Sequence, residues 1–324
     1  MATYKGIQGF TIQNLSADPS NPIEGQVWYN STSNVWKVEE ATTVGAWATG
    51  NNMNTTRTRI AGAGTQTAGL AFNGYDGGTP GATGATEEYD GTSWTNSNSL
   101  NTARWAASGA GTQTAGLGFG GEVPPITGAT EEYDGNSWTN SNPLNTARKY
   151  IGGAGTQTAG LAFGGTQDPP DFASTEEYNG TSWTSVNSMN TARERIAPAG
   201  IQTAALAAGG ETPITAATEE YDGTSWTTVN SLNTARSAAG GAGIQTAALA
   251  FGGQLPPVTG ATEEYDGTSW TSTTSMSTAR YLLAGAGTQT AALGFSGSPF
   301  PSVSSATEEW TGAGALVTKT ITVS

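Results

Sequence analysis

The chain reads RWAASGAGTQTAGLGFGG from Arg104 to Gly121 and TEEYDGNSW from Thr130 to Trp138, and this pattern occurs six times along the sequence. An Arg, a Gln and a Glu-Glu pair mark each copy. The Arg recurs as Arg57, Arg104, Arg148, Arg193, Arg236 and Arg280, and the Gln as Gln66, Gln113, Gln157, Gln202, Gln245 and Gln289. A period of roughly 45 residues, with turn residues throughout and no helical stretch, is typical of the blades of a β-propeller.

Each copy predicts four short antiparallel strands. In the second copy we place three of them at residues 105–110, 115–119 and 130–133, and the fourth leads from Ser137-Trp138. The pair Asp134-Gly135 is a strong signal for a tight hairpin turn before that last strand. Small residues on the first strand suit the crowded centre of a propeller. The recurring Trp is expected to pack between adjacent blades, where burying a large side chain is worth about 1.5–3 kcal/mol.

The Trp positions indicate how the last blade is completed. Five of them follow a Glu-Glu-Tyr strand, namely Trp94, Trp138, Trp183, Trp226 and Trp270. Trp47 has no such strand before it, and Glu308-Glu309-Trp310 has no Ser-Trp after it. We therefore expect the segment around Trp47 to supply the outermost strand of the last blade, which gives an all-β, six-bladed β-propeller of four-stranded antiparallel blades. Alternatively, the β-rich tail, residues 315–324, closes the ring, adds a further strand or docks on the N-terminal segment.

Composition narrows the classes of function. The chain has no His and no Cys, so imidazole bases, thiol nucleophiles and nearly all zinc sites are excluded. The net charge is −14, and six of the 12 basic residues are the repeat Arg, which argues against a nucleic-acid partner. No apolar run is long enough to cross a bilayer, so we expect no membrane partner. We expect no cofactor, no metal and no catalytic residue.

The adjacent carboxylates of each copy suggest acid–base chemistry at first sight. Neighbouring residues on a strand point to opposite faces, however, so Glu87 and Glu88 are not expected to meet one substrate. The pair is also copied six times, whereas a catalytic site usually needs one asymmetric arrangement. We therefore predict that these Glu residues are structural and that one of each pair interacts with the repeat Arg.

The repeat predicts one constant face and one variable face. Alternating strands place the Gln-Thr and Asp-Gly turns on the first face, and the Pro-rich inserts and the Asn-Thr-Ala-Arg links on the second. The inserts differ between copies, and so does the residue after the repeat Arg. Those six residues are the candidate binding site: Thr58, Trp105, Lys149, Glu194, Ser237 and Tyr281. Variation of this kind is typical of a recognition surface, although neutral drift in surface loops produces the same pattern.

The Gly-Gly, the Tyr and the Trp five residues later resemble the kelch repeat over residues 50–310. The first copy departs from that pattern at Asn73-Gly74, and the sixth departs at Ser296-Gly297 and Trp310. The resemblance implies a propeller. It leaves the activity open, because this fold carries both enzymes and binding modules.

Residues 1–46 lack the repeat and are predicted to form an N-terminal β-hairpin segment, followed by the propeller at 47–314 and a β tail at 315–324. The stretch from Asn21 to Val38 resembles a short module at the start of bacteriophage tail-fibre and other virion structural proteins. An alternative is a plain hairpin that packs on the propeller. The resemblance implies an attachment role for residues 1–46 toward other virion proteins.

Two functions remain from different classes. The first is a non-enzymatic bacteriophage virion structural protein, of the tail or the capsid surface, whose propeller is an interaction or host-attachment module for a surface glycan or protein. The second is an extracellular or cell-surface lectin, in which Trp105, Tyr150 and Tyr281 stack on sugars. An enzyme ranks behind both.

Overall fold

The computed structural model describes residues 13–20, 22–41, 44–78, 81–211, 213–299, 301–314 and 316–321. Within these residues the chain is all-β and contains no helix. It divides into two compact units, one formed by Ala46–Thr311 and the other by Met1–Gly45 together with Gly312–Ser324. The first unit contains the whole repeat.

The repeat unit consists of six four-stranded antiparallel sheets, which we call blades 1 to 6. The first strands, rich in Gly and Ala, are Ala61–Thr65, Ser108–Thr112, Gly152–Thr156, Ala197–Ile201, Gly240–Ile244 and Ala284–Gly287. The second strands are Ala68–Phe72, Ala115–Phe119, Ala159–Phe163, Ala204–Ala208, Ala247–Phe251 and Ala291–Phe295. The third strands, with the Glu-Glu pairs, are Thr86–Tyr89, Thr130–Tyr133, Thr175–Tyr178, Thr218–Tyr221, Thr262–Tyr265 and Thr307–Thr311. The fourth strands are Trp94–Ser97, Trp138–Ser141, Trp183–Val186, Trp226–Val229, Trp270–Thr273 and Ala46–Gly50.

The first strand begins later than the sequence predicts. We expected it to start at Trp105, whereas the paired strand of blade 2 starts at Ser108. The reason is local, because Ala106 has a φ of 53° and this left-handed residue turns the chain before the strand. Trp105 instead forms an isolated bridge with Glu122, the first residue of the insert.

Aromatic residues fill the spaces between neighbouring blades, as predicted for the recurring Trp. The Trp138 ring of blade 2 lies 4.8 Å from the Phe72 ring of blade 1 and 5.0 Å from its own Tyr133. Its indole Nε1 donates to Thr86 Oγ1 of blade 1 at 2.9 Å. Closer to the centre the blades approach so tightly that a Cβ added at Gly109 would lie 2.6 Å from Phe72 Cζ. The small residues of the first strands are therefore required by packing.

Blade 6 is built from both ends of the repeat unit. Its fourth strand, Ala46–Gly50, pairs antiparallel with Thr307–Thr311, and Trp47 lies opposite Trp310. The Trp47 indole donates to Thr262 Oγ1 of blade 5 at 2.9 Å. Trp47 thus repeats the contact that Trp138 makes in blade 2, and it takes the role that the sequence predicts for it.

The second unit is a four-stranded sheet rather than a simple hairpin. Val27–Asn30 and Val35–Ala41 form the predicted hairpin, and Gln13–Leu15 joins it in parallel. The tail strand Leu316–Ile321 pairs antiparallel with Val35–Ala41. The alternative in which the tail docks on the N-terminal segment is therefore confirmed, and closure of the propeller by the tail is wrong, because the backbone groups of the tail are paired in this other sheet. Of the predicted attachment segment, residues 1–12 lie outside the described part.

The carboxylate of Asp18 stabilises the hairpin of this sheet by contacting both of its strands. It accepts hydrogen bonds from Trp28 Nε1 at 3.0 Å and Asn30 Nδ2 at 2.8 Å. Lys37 Nζ lies 2.5 Å from the second carboxylate oxygen. These hydrogen bonds, that of Lys37 foremost, lower the pKa of Asp18 to about 2.

Candidate functional site

A ring of six residues lies immediately before the first strands, and all six have left-handed backbone. They are Arg59, Ala106, Tyr150, Arg195, Ala238 and Leu282, with φ between 53° and 56°. Each backbone N–H donates to the carbonyl of the equivalent residue in the preceding blade, for example Ala106 N to Arg59 O at 2.8 Å. Arg59 N donates to Leu282 O at 3.0 Å, so the sixth blade returns to the first. We call this set the hydrogen-bonded ring.

The six predicted site residues precede the ring residues by one position, and the structure places them equivalently. Each forms an isolated bridge with the first residue of its insert. These partners are Tyr75, Glu122, Thr166, Glu211, Gln254 and Ser298. The links and the variable inserts therefore share one end of the blades, as the sequence predicts.

The side chains of these six residues are less exposed than the sequence suggests. Thr58 and Lys149 are each 5% exposed, Glu194 is 9% exposed and Ser237 is fully buried. Only Trp105 and Tyr281 are half-buried. Lys149 is not an exposed cation, because two carboxylates enclose it: Glu122 at 2.5 Å and Asp168.

Sequence reasoning missed two cations of the ring itself, Arg59 and Arg195. The sequence contained a signal for them, because cations outside the repeated Arg position are rare. Among the Lys and Arg residues of 46–311, only Arg59, Lys149 and Arg195 fall outside the repeated Arg position. The structure brings all three to the variable end of blades 1 to 4, so every cation that the scaffold does not need lies in one place.

These cations alternate with aromatic rings. The Arg59 guanidinium lies 5.1 Å from the Tyr75 ring and 4.6 Å from the Trp105 ring, and Lys149 Nζ lies 4.8 Å from Trp105. Lys149 Nζ is also 5.6 Å from the Tyr150 ring, over which Arg195 lies at 4.5 Å. We call this series, from Tyr75 to Arg195, the aromatic–cation row. At such distances each pair gains about 0.5–2 kcal/mol from cation–π attraction.

Acidic partners are distributed unevenly along the row. Arg195 pairs with Glu211 and lies 3.4 Å from Glu194. Lys149 forms ion pairs with Glu122 and Asp168. Arg59 makes no ion pair with any residue that the structure describes, and its Nε is buried without a hydrogen-bond partner there. The row therefore carries one cation that no acidic side chain of the described residues pairs with.

Glu194 is the most perturbed carboxyl group near the row. Burial raises its pKa to about 7, and the neighbouring acids Asp171, Glu211 and Asp168 add to this, while Arg195 opposes it. A perturbed carboxyl group marks a candidate functional site, but ion-pair networks produce the same shift. The described residues contain no group of three or more acidic side chains placed to hold a metal ion.

The repeat carboxylates have a structural role in this geometry. Glu131 is fully buried and pairs with Arg104 at 2.5 Å, and it also accepts from the backbone N–H of Asn101 at 2.7 Å. Glu132 points to the other face and accepts from the Tyr178 hydroxyl of blade 3 at 2.5 Å. Equivalent Arg–Glu pairs occur in every blade: Arg57–Glu87, Arg148–Glu176, Arg193–Glu219, Arg236–Glu263 and Arg280–Glu308. The prediction that one Glu of each pair meets the repeat Arg is confirmed.

On the constant face, the repeat Gln residues link neighbouring blades through side-chain hydrogen bonds. Gln113 Nε2 donates to Gly69 O at 3.1 Å and to Tyr89 O at 2.8 Å, both in blade 1. The same two bonds link each further pair of neighbouring blades. These residues therefore connect blades, which explains why the Gln does not vary.

The fold resembles that of proteins of known structure. The structure of YjhT matches with a TM-score of 0.66 and 11% sequence identity, and the match covers 83% of this chain and 99% of that chain. Together with the six repeated blades, this shows a β-propeller fold. No protein-family model and no curated protein matches the chain. No helix of the described residues is long and apolar enough to span a membrane.

Proposed function

We propose that the chain is a non-enzymatic structural protein of a bacteriophage virion, located on the tail or the capsid surface, whose propeller is a host-attachment module. The resemblance of residues 21–38 to the start of tail-fibre proteins supports the virion assignment. In this proposal the unit with Val27–Asn30 and Val35–Ala41 contacts other virion proteins, and the repeat unit faces the host.

The same proposal assigns a closed, six-bladed, kelch-type ring to the repeat unit. The cyclic hydrogen bonds from Arg59 through Leu282 and back support closure. Contacts of Ala61–Thr65 with both Ser108–Thr112 and Ala284–Gly287 support it too, because an open array would leave one side of blade 1 free. A closed ring has no long exposed sheet edge and so resists edge-to-edge aggregation.

One observation carries the recognition role: the aromatic–cation row breaks the sixfold repetition at the variable end of the blades. Blades 1 to 4 carry Arg59, Trp105, Lys149 and Arg195 there, whereas blade 5 offers Ser237 and Ala238. Aromatic and Arg side chains are enriched among residues that dominate binding energy. Neutral drift gives no reason for the cations outside the scaffold to collect at one place.

The lectin alternative rests on the half-buried rings of the same row. The Trp105 and Tyr150 rings lie 6.0 Å apart, and aromatic faces of this kind stack on sugars. This alternative shares the binding surface and differs in where the protein resides.

Attachment of labelled protein to host cells tests the recognition role. We expect Trp105→Ala combined with Tyr281→Ser to reduce attachment at least tenfold with little change in melting temperature. The matched control is Ile201→Thr with Ile244→Thr on the constant face, where both side chains are about half exposed at 49% and 54% and four other blades carry Thr. Loss of attachment in the control pair alone would place recognition on the constant face. Electron cryomicroscopy of purified particles tests the virion assignment, and absence of the chain from them would favour the lectin.

A further inference from the structure

We propose that the aromatic–cation row binds a carboxylated saccharide, with the sugar against Trp105 and the carboxylate on Arg59. This inference rests on the proposed recognition role and names the chemical class of ligand. It follows from the unpaired charge of Arg59, from the shape of the site around it and from the placement of the acids.

Because no acid of the described residues pairs with the Arg59 guanidinium, this cation is open to an anion from outside the protein. The chain has 26 acidic and 12 basic residues, so acidic partners are abundant. Lys149 and Arg195 each contact two carboxylates, but Arg59 contacts none among the described residues. Its Nε is buried without a hydrogen-bond partner among these residues, as are the Nε atoms of Arg195 and of three repeat Arg residues, so the missing carboxylate is what distinguishes Arg59. A guanidinium forms its strongest hydrogen bonds with a planar carboxylate, which accepts two of them side by side.

A cavity lies beside this guanidinium at the hydrogen-bonded ring. All six residues of the hydrogen-bonded ring line it, so Arg59, Tyr150 and Arg195 share the lining with the apolar residues Ala106, Ala238 and Leu282. The Trp105 ring is flanked by Arg59 at 4.6 Å and Lys149 at 4.8 Å and is half-buried, so its remaining exposed surface is the apolar contact that a sugar would make beside the cation.

The surrounding acids select a ligand with a single negative charge. Glu122, Asp168, Glu194 and Glu211 lie around the other two cations of the row. They repel a dianion such as a phosphate monoester, whereas one carboxylate is neutralised by one guanidinium. A sulfate ester also has one charge but is not planar, so the test compares a sulfated sugar with the uronates.

Titration calorimetry of the full chain tests this with the methyl glycosides of galacturonate, glucuronate and mannuronate, each of which carries a single carboxylate. We expect at least one of these uronates to bind, and its methyl ester, which has the same sugar without the charge, to bind at least tenfold more weakly. Methyl galactoside 6-sulfate is expected to bind more weakly than the best uronate. Equal binding of acid and methyl ester, preference for the sulfate, or no binding of any uronate would overturn the proposal.

Variants locate the site. Arg59→Gln is expected to weaken uronate binding at least tenfold, and Arg59→Lys to restore only part of it, because Lys lacks the two-pronged geometry. Lys319→Gln removes the same charge from the other unit, where Lys319 pairs with Glu40 at 2.9 Å, and is expected to leave binding unchanged. Equal losses in Arg59→Gln and Lys319→Gln would show a general charge effect and overturn the site. A melting scan of each variant identifies misfolding, and Trp105→Ala then gives a second test of the row.

Host attachment separates this inference from the function on which it rests. If Trp105→Ala abolishes attachment and no uronate binds, the recognition face stands and the ligand class is wrong. If a uronate binds through Arg59 but attachment is unaffected by the row variants, the ligand class stands and the attachment role is wrong.

Discussion

At the scale of single residues, the scaffold depends on buried charges that neutralise each other. Arg104 and Glu131 are both fully buried, and each is bound to its partner and to backbone groups. Burial lowers the pKa of Arg104, and the Glu131 carboxylate opposes that shift. The net charge of −14 therefore belongs to the surface and to the second Glu of each pair.

Removing one partner of this pair is expected to be costly. Glu131→Ala leaves the Arg104 guanidinium buried without a carboxylate, which typically costs about 3–5 kcal/mol. Its neighbour provides the matched control: Glu132→Ala loses one hydrogen bond from Tyr178 and should cost about 1 kcal/mol. Urea unfolding of both variants checks this. Equal losses would contradict the assignment of opposite faces.

Glu194 is expected to make stability depend on pH. Its pKa is raised from 4.5 to about 7, so the folded state retains a proton that the unfolded state releases. The resulting destabilisation appears as pH rises from about 4.5 to 7 and is complete above 7. Relative to the parent chain, Glu194→Gln should therefore gain about 1–3 kcal/mol more at pH 8 than at pH 5. Melting curves at both values test this, and a pH-independent difference would contradict it.

At the scale of strands, the sequence predicted most of the blade because turn residues bracket each strand. The second and third strands, such as Ala115–Phe119 and Thr130–Tyr133, lie where their Gly-Gly and Asp-Gly boundaries place them. The first strand was misplaced because left-handed backbone at a non-Gly residue such as Ala106 has no clear sequence signal. The same effect appears in blade 1, where Asn73 keeps a φ of 57° at a position that is Gly in blades 2 to 5.

The strand Ala46–Gly50 is expected to be essential for the repeat unit. A fragment of residues 46–311 contains all four strands of blade 6, whereas a fragment of residues 51–311 leaves Thr307–Thr311 without its outer partner. The shorter fragment also loses the Trp47 indole from the space between blades 5 and 6. We expect cooperative melting of the longer fragment, and aggregation or a broad transition for the shorter one, because an unpaired edge templates further pairing. Identical melting of the two would contradict this role.

At the scale of the whole molecule, the repeat predicted where function lies but not which side chains provide it. Placement of the variable inserts at one end of the blades followed from strand alternation alone. Arg59 and Arg195 were not predicted because they lie two residues after the repeat Arg, whereas the candidate site contains only the residue directly after it. Burial of Lys149 and Ser237 depends on contacts with the inserts, which differ between copies and cannot be read from the repeat.

Hydrolysis is expected to be absent. The chain has neither His nor Cys, and Glu194, the carboxyl group with the most raised pKa near the row, adjoins Arg195, which forms ion pairs with it and with Glu211. We expect no turnover of sialosides, other glycosides or esters in a broad chromogenic panel. Robust turnover that is lost on a single Glu194→Gln substitution would overturn the non-enzymatic assignment and identify Glu194 as the acid.

The pairing of Ala46 with Thr311 has a mechanical consequence. The repeat unit begins and ends at directly opposed residues of two antiparallel strands, so tension applied to its two flanks pulls this pair apart from one end. Such a load breaks the backbone hydrogen bonds between the two strands one after another, instead of loading all of them at the same time. Once a pulling force has separated Val35–Ala41 from Leu316–Ile321 in the second unit, blade 6 should open before the five blades that are formed from continuous stretches of chain.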